Sequence, residues 1–224
     1  HMAVTPGPVE TVRTSALTDL AQTGQIRYIG CSNLSAWQLM KALGVSERRN
    51  LHRYSSQQIS YSLLGREVEN EFLPLARDQG LATLAASPLG GGLLAGPPTE
   101  GNPGFGRTRG VPTLHSATQI GHLAEVVRGI ADARGVSGAQ IGLAWVLARP
   151  GITAAIVRTG SVEHLEECVT ATGLTLSDVE VTELDAASRL RIPYPYWNQE
   201  KYNAERRGTG ALPVTRRVPG SWTG

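Results

Sequence analysis

Residues 24 to 33 read Gly24-Gln-Ile-Arg-Tyr-Ile-Gly-Cys-Ser-Asn33 and separate two segments with helical spacing. Before them, apolar residues predict a helix from Pro8 to about Thr23, which Gly24 ends. Within them, Ile26 to Gly30 form a compact apolar run that is typical of a strand. After them, Ser35 caps a predicted helix from about Ala36 to Arg48. This order of helix, strand and helix predicts an α/β fold with parallel strands.

The rest of the chain repeats the alternation of strand and helix. A loop rich in Gly and Pro runs from Ser87 to about Pro112 and is long enough to be either functional or mobile. Four strand–helix units are visible, which is too few to close an eight-unit barrel of about 250 residues. We expect one domain over residues 1–224, with an irregular C-terminal tail over 191–224. The further strands are predicted at about Tyr54 to Ile59, Leu81 to Ala85 and Ile152 to Val157, and the further helices at about Glu67 to Gln79, Ala117 to Arg134, Ser137 to Ala148, Val162 to Thr172 and Ser177 to Ala187.

Composition narrows the class of protein. The chain has 224 residues, 41% of them hydrophobic, and a formal net charge of +2, so no strong field attracts nucleic acid or membrane. No basic-then-apolar leader opens the given sequence, which favours a cytoplasmic protein in which both cysteines are reduced. The spacing of His, Cys, Asp and Glu predicts no metal site.

Several phrases in the chain resemble the aldo-keto reductase family, in the family's order. The stretch from Gly24 to Asn33 resembles the phrase at that family's fifth strand, and the similarity extends from about Pro6 to Tyr202. The resemblance implies a partial (β/α) TIM-type barrel with four parallel strands and flanking helices, corresponding to the family's fifth to eighth strands. The other matching phrases are Ser56-Gln-Gln-Ile-Ser-Tyr-Ser62, Ser87-Pro-Leu-Gly-Gly-Gly-Leu-Leu94, Gln140-Ile-Gly-Leu-Ala-Trp-Val-Leu147, Val162-Glu-His-Leu-Glu-Glu167 and Tyr194-Pro-Tyr-Trp197.

The resemblance also implies NADP(H) as the cofactor. Ser32, Asn33 and Gln58 match residues that bind the nicotinamide amide in the family, and Ser87, Leu89 and Gly91 match the loop that wraps the pyrophosphate. The glycines of such a loop let backbone N–H groups approach phosphate closely.

Other positions depart from the family pattern. Ala86 replaces the aromatic residue that stacks on the nicotinamide ring, and Gly160 replaces the arginine that binds the 2′-phosphate. Cys168 replaces the asparagine that reads the adenine, and Pro97 stands where a lysine is common. The family's catalytic tyrosine, lysine, aspartate and histidine belong to the half of the barrel that these phrases do not cover. Lys41 and Lys201 are expected to be solvated surface residues, not substitutes for the catalytic lysine.

Four residues are candidates for chemistry within the chain. Arg158 follows the last predicted strand and either binds an anionic or carbonyl ligand or makes a surface salt bridge. His115 is the histidine best placed for acid–base catalysis, and the alternative interpretation is a solvated loop histidine. Cys31 is either a nucleophile or a core residue. Tyr61 could face a pocket.

These features support three hypotheses of function. The first is an aldo-keto-reductase-like protein that binds or converts a small organic molecule without redox chemistry, by cyclisation, dehydration or isomerisation in a biosynthetic pathway. The second is an NADPH-dependent carbonyl oxidoreductase whose other half lies elsewhere, and the third is a non-catalytic partner subunit or scaffold.

Four strands leave two open edges and an inner face that we expect to be apolar. These surfaces favour a homodimer that completes the barrel, and a separate chain resembling the N-terminal half is the alternative.

Overall fold

Four parallel strands form the sheet of the described residues, which are 9–95 and 113–207 of a computed structural model. The strands pair in sequence order, β1 to β4, and the predicted α/β half-barrel is thereby confirmed. Short 3-10 turns occur at Glu67–Glu69, Gly90–Ala95 and Ala171–Gly173. The regular elements are α1 (Val9–Gln22), β1 (Ile29–Ser32), α2 (Ala36–Arg49), β2 (Tyr54–Ser60), α3 (Phe72–Gln79), β3 (Ala82–Ala86), α4 (Ala117–Arg134), α5 (Gly138–Leu147), β4 (Ala154–Ile156), α6 (Val162–Thr170), α7 (Asp178–Ala187) and α8 (Tyr196–Arg207).

Local signals explain why most helices begin and end where the sequence predicts. The Ser116, Ser137, Ser161 and Ser177 hydroxyls each accept a hydrogen bond from the backbone N–H three residues later. Asn50, Gly80 and Gly135 end α2, α3 and α4 in the left-handed conformation. The loop predicted from Ser87 to Pro112 lies largely outside the described residues.

Two elements begin more than two residues away from their predicted starts. The first strand begins at Ile29 instead of Ile26, because the N–H groups of Gln25 and Ile26 donate back to the carbonyl of Leu20 and close the turn after α1. The helix predicted over Glu67 to Gln79 is broken before Phe72. Pro74 has no N–H and its ring would clash with the carbonyl four residues earlier, so the α-helix can only begin within one turn of it.

The chain divides into two compact units, His1–Leu190 and Arg191–Gly224. The division falls where the sequence loses its apolar periodicity. The prediction of an irregular tail is wrong for Tyr196–Arg207, which form α8. This segment contains strong helix formers, among them Gln199, Glu200, Lys201 and Ala204, and helix propensity acts without an apolar stripe.

The two faces of the sheet differ in chemistry. Ile59 and Ala85 point to the helix layer, where they join a buried cluster around Trp145, and Ile29 belongs to a second cluster under α2. The alternate residues point to the opposite, inner face. The expectation of an apolar inner face holds for β3 and β4, whose inward residues are alanine, leucine and isoleucine, but not for β1 and β2, whose inward residues are glycine, serine and glutamine. Its residues are Gly30, Ser32, Ser56, Gln58, Ser60, Ala82, Leu84, Ala86, Ala154 and Ile156.

An ion pair joins the end of α4 to the start of α7. Arg134 donates from Nε and Nη2 to the two carboxylate oxygens of Glu180, both at 2.5 Å, and from Nη1 to the carbonyl of Thr175. These hydrogen bonds, together with those from Ser177, lower the pKa of Glu180 to about 2.

The Glu180→Gln variant is expected to lose at most about 1 kcal/mol of unfolding free energy at pH 7, because its ion pair with Arg134 is lost and solvent screens much of the strength of that pair. The folded pKa lies below the unfolded one, so the stabilisation is complete above about pH 5 and is lost as the pH falls towards 2. Urea unfolding across this range should therefore give a flatter pH profile for the variant than for the parent protein. Glu183→Gln, an exposed change on the same helix, is the control and should leave the profile unchanged. Equal profiles for Glu180→Gln and the parent would contradict this assignment.

Candidate active-site edge

The C-terminal ends of the four strands meet at one edge of the sheet, because all the strands are parallel. Along this edge the inner-face residues lie in register rows. The middle row is Ser32, Gln58, Leu84 and Ala154, and the top row is Ser60, Ala86 and Ile156. The structure thus places Ser32 and Gln58, which are distant in sequence, on neighbouring strands.

At the lower end of the inner face, one glycine leaves room for a serine side chain on the neighbouring strand. Gly30 lies opposite Ser56, and a Cβ atom at Gly30 would come within 2.5 Å of the Ser56 hydroxyl oxygen. Only glycine therefore fits beside Ser56 without a shift of its side chain.

The backbone turns sharply where the strands end. Asn33 follows β1 with φ 59° and Ser87 follows β3 with φ 53°, and both side chains are exposed. After Ser87 the glycines at 90, 91 and 92 also have positive φ. The carbonyls of Ser87 and Leu89 accept from the N–H groups of Gly90 and Gly92, which closes two tight turns. This loop follows directly after β3, which pairs with the strand that carries Gln58.

Tyr61 follows β2 but does not face the edge. Its side chain is fully buried on the helix side, where its hydroxyl donates to Glu69 Oε1 at 2.7 Å and its ring lies 5.5 Å from that of Trp145. Burial and the neighbouring Glu69 carboxylate raise the pKa of the Tyr61 hydroxyl far above its usual value. Tyr61 is therefore held as a neutral structural group and is poorly suited to donate a proton.

A cluster of charged groups surrounds Tyr61 and Trp145; we call it the Asp185 cluster, and it consists of Tyr61, Arg66, Glu69, Trp145, Arg149 and Asp185. Arg66 binds Glu69 with two nitrogens and reaches Asp185 Oδ1 at 3.1 Å, and Arg149 also binds this carboxylate. Burial lowers the pKa of Arg66, but Glu69 and Asp185 outweigh it and the net pKa is raised. Sequence reasoning missed this cluster, because Arg66 and Asp185 are far apart in the chain.

His115 is buried, so the expectation of a solvated loop histidine is wrong. Its Nε2 lies 3.2 Å from the carbonyl of Ser188, and its Nδ1 lies 3.1 Å from the Thr113 hydroxyl, which donates to the carbonyl of Leu64. Both ring nitrogens therefore have partners, and the side chain fastens the segment before α4 to the core.

The remaining candidates lie in different surroundings. Cys31 packs against the cluster under α2 with its Sγ 3.7 Å from the Ser56 carbonyl, which favours the core interpretation. Arg158 is exposed after β4 and takes part in none of the ion pairs found among the described residues. Lys41 is exposed in α2 and Lys201 is exposed in α8, so neither lysine follows a strand.

No disulfide joins Cys31 and Cys168, and no metal-binding group of His, Cys, Asp and Glu occurs in the described ranges. Among those same residues, no helix is both long and apolar enough to cross a membrane.

Comparison with known proteins assigns the family. The Aldo/keto reductase family profile matches residues 6–189. The chain is 35% identical over 164 residues to the uncharacterized oxidoreductase YrpG of Bacillus subtilis, covering 73% of this chain and 49% of that protein. It is 29% identical to the versiconal hemiacetal acetate reductase of Aspergillus parasiticus, covering 76% of this chain and 50% of that protein.

A solved structure agrees with these relatives. A thermostable aldo-keto reductase in complex with the inhibitor epalrestat superposes with a TM-score of 0.62 at 29% identity, covering 81% of this chain and 57% of the other. This chain spans about half the length of the relatives it matches. The profile match, the relatives and the shared half-barrel agree, and the chain belongs to the aldo/keto reductase family.

Proposed function

We propose that this chain is the cofactor-binding half of an NADP(H)-dependent carbonyl oxidoreductase and that it does not reduce carbonyls without further residues. The observation that carries the proposal is the adjacency of Ser32 and Gln58 in the middle row of the inner face. A nicotinamide carboxamide both donates and accepts hydrogen bonds, and a hydroxyl beside a side-chain amide offers both.

The residues present fit two parts of the cofactor. Ser32, Asn33 and Gln58 would hold the carboxamide, and the loop of Ser87, Leu89 and Gly91 would take the pyrophosphate on its backbone amides. Gly90, Gly91 and Gly92 of this loop have positive φ values, which side chains larger than glycine would strain. NADP(H), when bound, supplies the hydride, while this chain's residues bind and orient it.

Residues 9–95 and 113–207 offer no suitable proton donor for carbonyl reduction at the strand ends. Tyr61 is neutral, buried and bound to Glu69. Lys41 belongs to α2 and Lys201 to α8, so neither lysine directly follows a strand, which is where barrel enzymes place their chemistry. The donor is therefore expected to come from residues outside this chain.

The cytoplasmic location expected from the sequence stays a prediction.

A second candidate is binding or conversion of a small organic molecule without redox chemistry. The observation that favours it is Ala86 in the top row, between Ser60 and Ile156, where the family carries an aromatic ring. The methyl group leaves this part of the edge open, and the exposed Arg158 offers a cation at the end of β4. Such a site suits a cyclisation, dehydration or isomerisation better than hydride transfer.

Titration of NADPH into the purified chain, followed by cofactor fluorescence, distinguishes the two candidates. Gln58→Ala is expected to weaken binding about five- to tenfold, because one or two hydrogen bonds are lost. Ala86→Tyr is expected to strengthen binding severalfold, because a ring adds stacking area at the top row. Ser56→Ala, one row lower on the same inner face, is the control and should change nothing.

Two outcomes would overturn the first candidate. If neither the parent chain nor Ala86→Tyr binds NADPH, the cofactor-binding role is lost and the non-redox candidate takes its place. Steady turnover of a carbonyl substrate by this chain alone would contradict the claim that the proton donor lies elsewhere.

A further inference from the structure

The order of the strands fixes the order in which a bound dinucleotide meets the strand-end edge. The proposed carboxamide contacts Ser32 and Gln58 lie on β1 and β2, and the proposed pyrophosphate loop follows β3. Neighbouring strands lie about 4.8 Å apart, so an extended ligand crosses them one after another. The adenosine ribose comes after the pyrophosphate, and the next strand in the sheet is β4. We therefore expect the ribose at residues 157–161, which join β4 to α6 and are called the β4–α6 turn.

The β4–α6 turn uses its hydrogen-bond donors internally. The Thr159 hydroxyl donates to the carbonyl of Ser161 at 2.6 Å and accepts from the Ser161 N–H at 3.2 Å. The Ser161 hydroxyl accepts from the His164 N–H at 3.2 Å and so caps α6. A phosphate group binds through donors, and these donors already have acceptors within the turn. The turn is therefore poorly suited to bind a 2′-phosphate.

A carboxylate already occupies the N-terminus of α6, the end of a helix that attracts anions. Hydrogen bonds from the N–H of Glu163 itself and from the Ser161 hydroxyl lower the pKa of the Glu163 carboxyl group. This exposed group is thus ionised at neutral pH, where it repels a phosphate. In other dinucleotide-binding folds an acidic side chain accepts a hydrogen bond from the ribose 2′-hydroxyl. Glu163 offers the same kind of acceptor.

The charges near the turn balance each other. From Val157 to His164 the charged residues are Arg158 and Glu163. Arg158 is exposed, and binding to a phosphate would restrict its flexible side chain. Exposed ion pairs contribute little to binding for this reason and because solvent screens them. Arg158 is therefore not expected to select a 2′-phosphate against the repulsion from Glu163.

Gly160 leaves open space at the turn. It is exposed, its φ is not positive, and a Cβ atom added to it would meet no atom within 4 Å. A long cationic side chain would therefore fit at this position without strain. The position allows an experiment in which binding of the 2′-phosphate is gained instead of lost.

We propose that the strand-end edge binds NAD(H) at least as tightly as NADP(H), because the β4–α6 turn offers the ribose a carboxylate acceptor and offers the 2′-phosphate no donor that the fold holds in place. This inference rests on the proposed cofactor-binding role and specifies which dinucleotides that role covers. NADH and NADPH differ only at the ribose 2′-position, so a comparison of their binding isolates the contribution of the turn.

Fluorescence titration of the purified chain with NADH and with NADPH tests the proposal, and the dissociation constant of NADH should equal or lie below that of NADPH. Gly160→Arg should tighten NADPH binding about tenfold and leave NADH binding unchanged, because a guanidinium makes charge-assisted hydrogen bonds with phosphate. Gly173→Arg is the matched control and should change neither constant. Gly173 is also exposed, with no atom within 4 Å of an added Cβ, but it lies beyond the C-terminal end of α6.

Removal of the carboxylate gives a second and independent variant. Glu163→Gln should tighten NADPH binding about threefold, because the repulsion of the 2′-phosphate is lost, and should change NADH binding less. Glu166→Gln is the control: it removes the same charge from an exposed position on the next turn of α6. The ratio of the two dissociation constants should stay close to that of the parent chain.

The outcomes separate this inference from the proposed function. If the parent chain binds NADPH more than about threefold more tightly than NADH, the inference is overturned while the cofactor-binding role stands. The inference is also overturned if Gly160→Arg keeps the circular dichroism spectrum of the parent but not its expected gain in NADPH binding, because the turn would then not meet the ribose. If neither dinucleotide binds to the parent chain, the proposed function and this inference are both wrong.

Discussion

Replacing Trp145 with Ala is expected to lower the free energy of unfolding by about 3–5 kcal/mol, the usual cost of removing a buried Trp side chain. Trp145 is fully buried in α5 and its Nε1 donates to Asp185 Oδ1 at 3.0 Å. The Arg149 guanidinium lies 4.1 Å from the centroid of its ring, and that of Arg66 lies 5.1 Å away. The substitution would leave a large cavity and remove the aromatic surface against which both cations pack.

Urea unfolding at neutral pH measures this effect, and Trp37→Ala provides the control. Trp37 is also a helical tryptophan, but it is 58% exposed in α2, so its replacement should cost less than about 1 kcal/mol. The midpoint of the Trp145→Ala transition should fall strongly while that of Trp37→Ala stays close to the parent. Similar losses in the two variants would show that the Asp185 cluster is not a centre of stability.

Local sequence signals, such as helix-capping residues, were sufficient to predict most of the fold. Ser116 and Gly135 mark the two ends of α4, and the helix runs over the predicted residues Ala117–Arg134. The predicted elements are wrong where the structure depends on contacts outside the element itself or on a helix without an apolar pattern. The start of β1 depends on a turn back to Leu20, and α8 forms from helix propensity without any apolar periodicity that the sequence could display.

The candidate edge was only partly predictable, for a related reason. The phrases around Ser32, Gln58 and Ser87 indicate which residues lie at strand ends, and parallel pairing then brings them together. Burial of an individual polar side chain depends on partners far along the chain. His115 is buried against the Ser188 carbonyl, and no pattern near residue 115 indicates that partner.

The Gly90→Ala variant is expected to lose about 2–4 kcal/mol of stability and also to weaken ligand binding at the strand-end edge. Gly90 has φ 58°, a left-handed conformation that costs an alanine about 1 kcal/mol or more. The added Cβ would also lie 2.6 Å from Leu64 Cδ1 and 3.4 Å from Leu64 Cβ. Leu64 is 2% exposed, and its carbonyl accepts from the Thr113 hydroxyl, so it has little room to move away.

Gly121→Ala is the matched control and should act in the opposite direction. Gly121 lies inside α4, and an added Cβ would meet no atom within 4 Å, so alanine should stabilise the protein by about 0.5–1 kcal/mol. Thermal unfolding of both variants gives the stability difference, and NADPH titration shows whether the loop after β3 has shifted. A shift of this loop moves the backbone amides proposed to bind pyrophosphate, so Gly90→Ala should bind NADPH more weakly while Gly121→Ala binds as the parent does. If Gly90→Ala were as stable as the parent, Leu64 would not fix the loop, and the loop would owe its shape to other contacts.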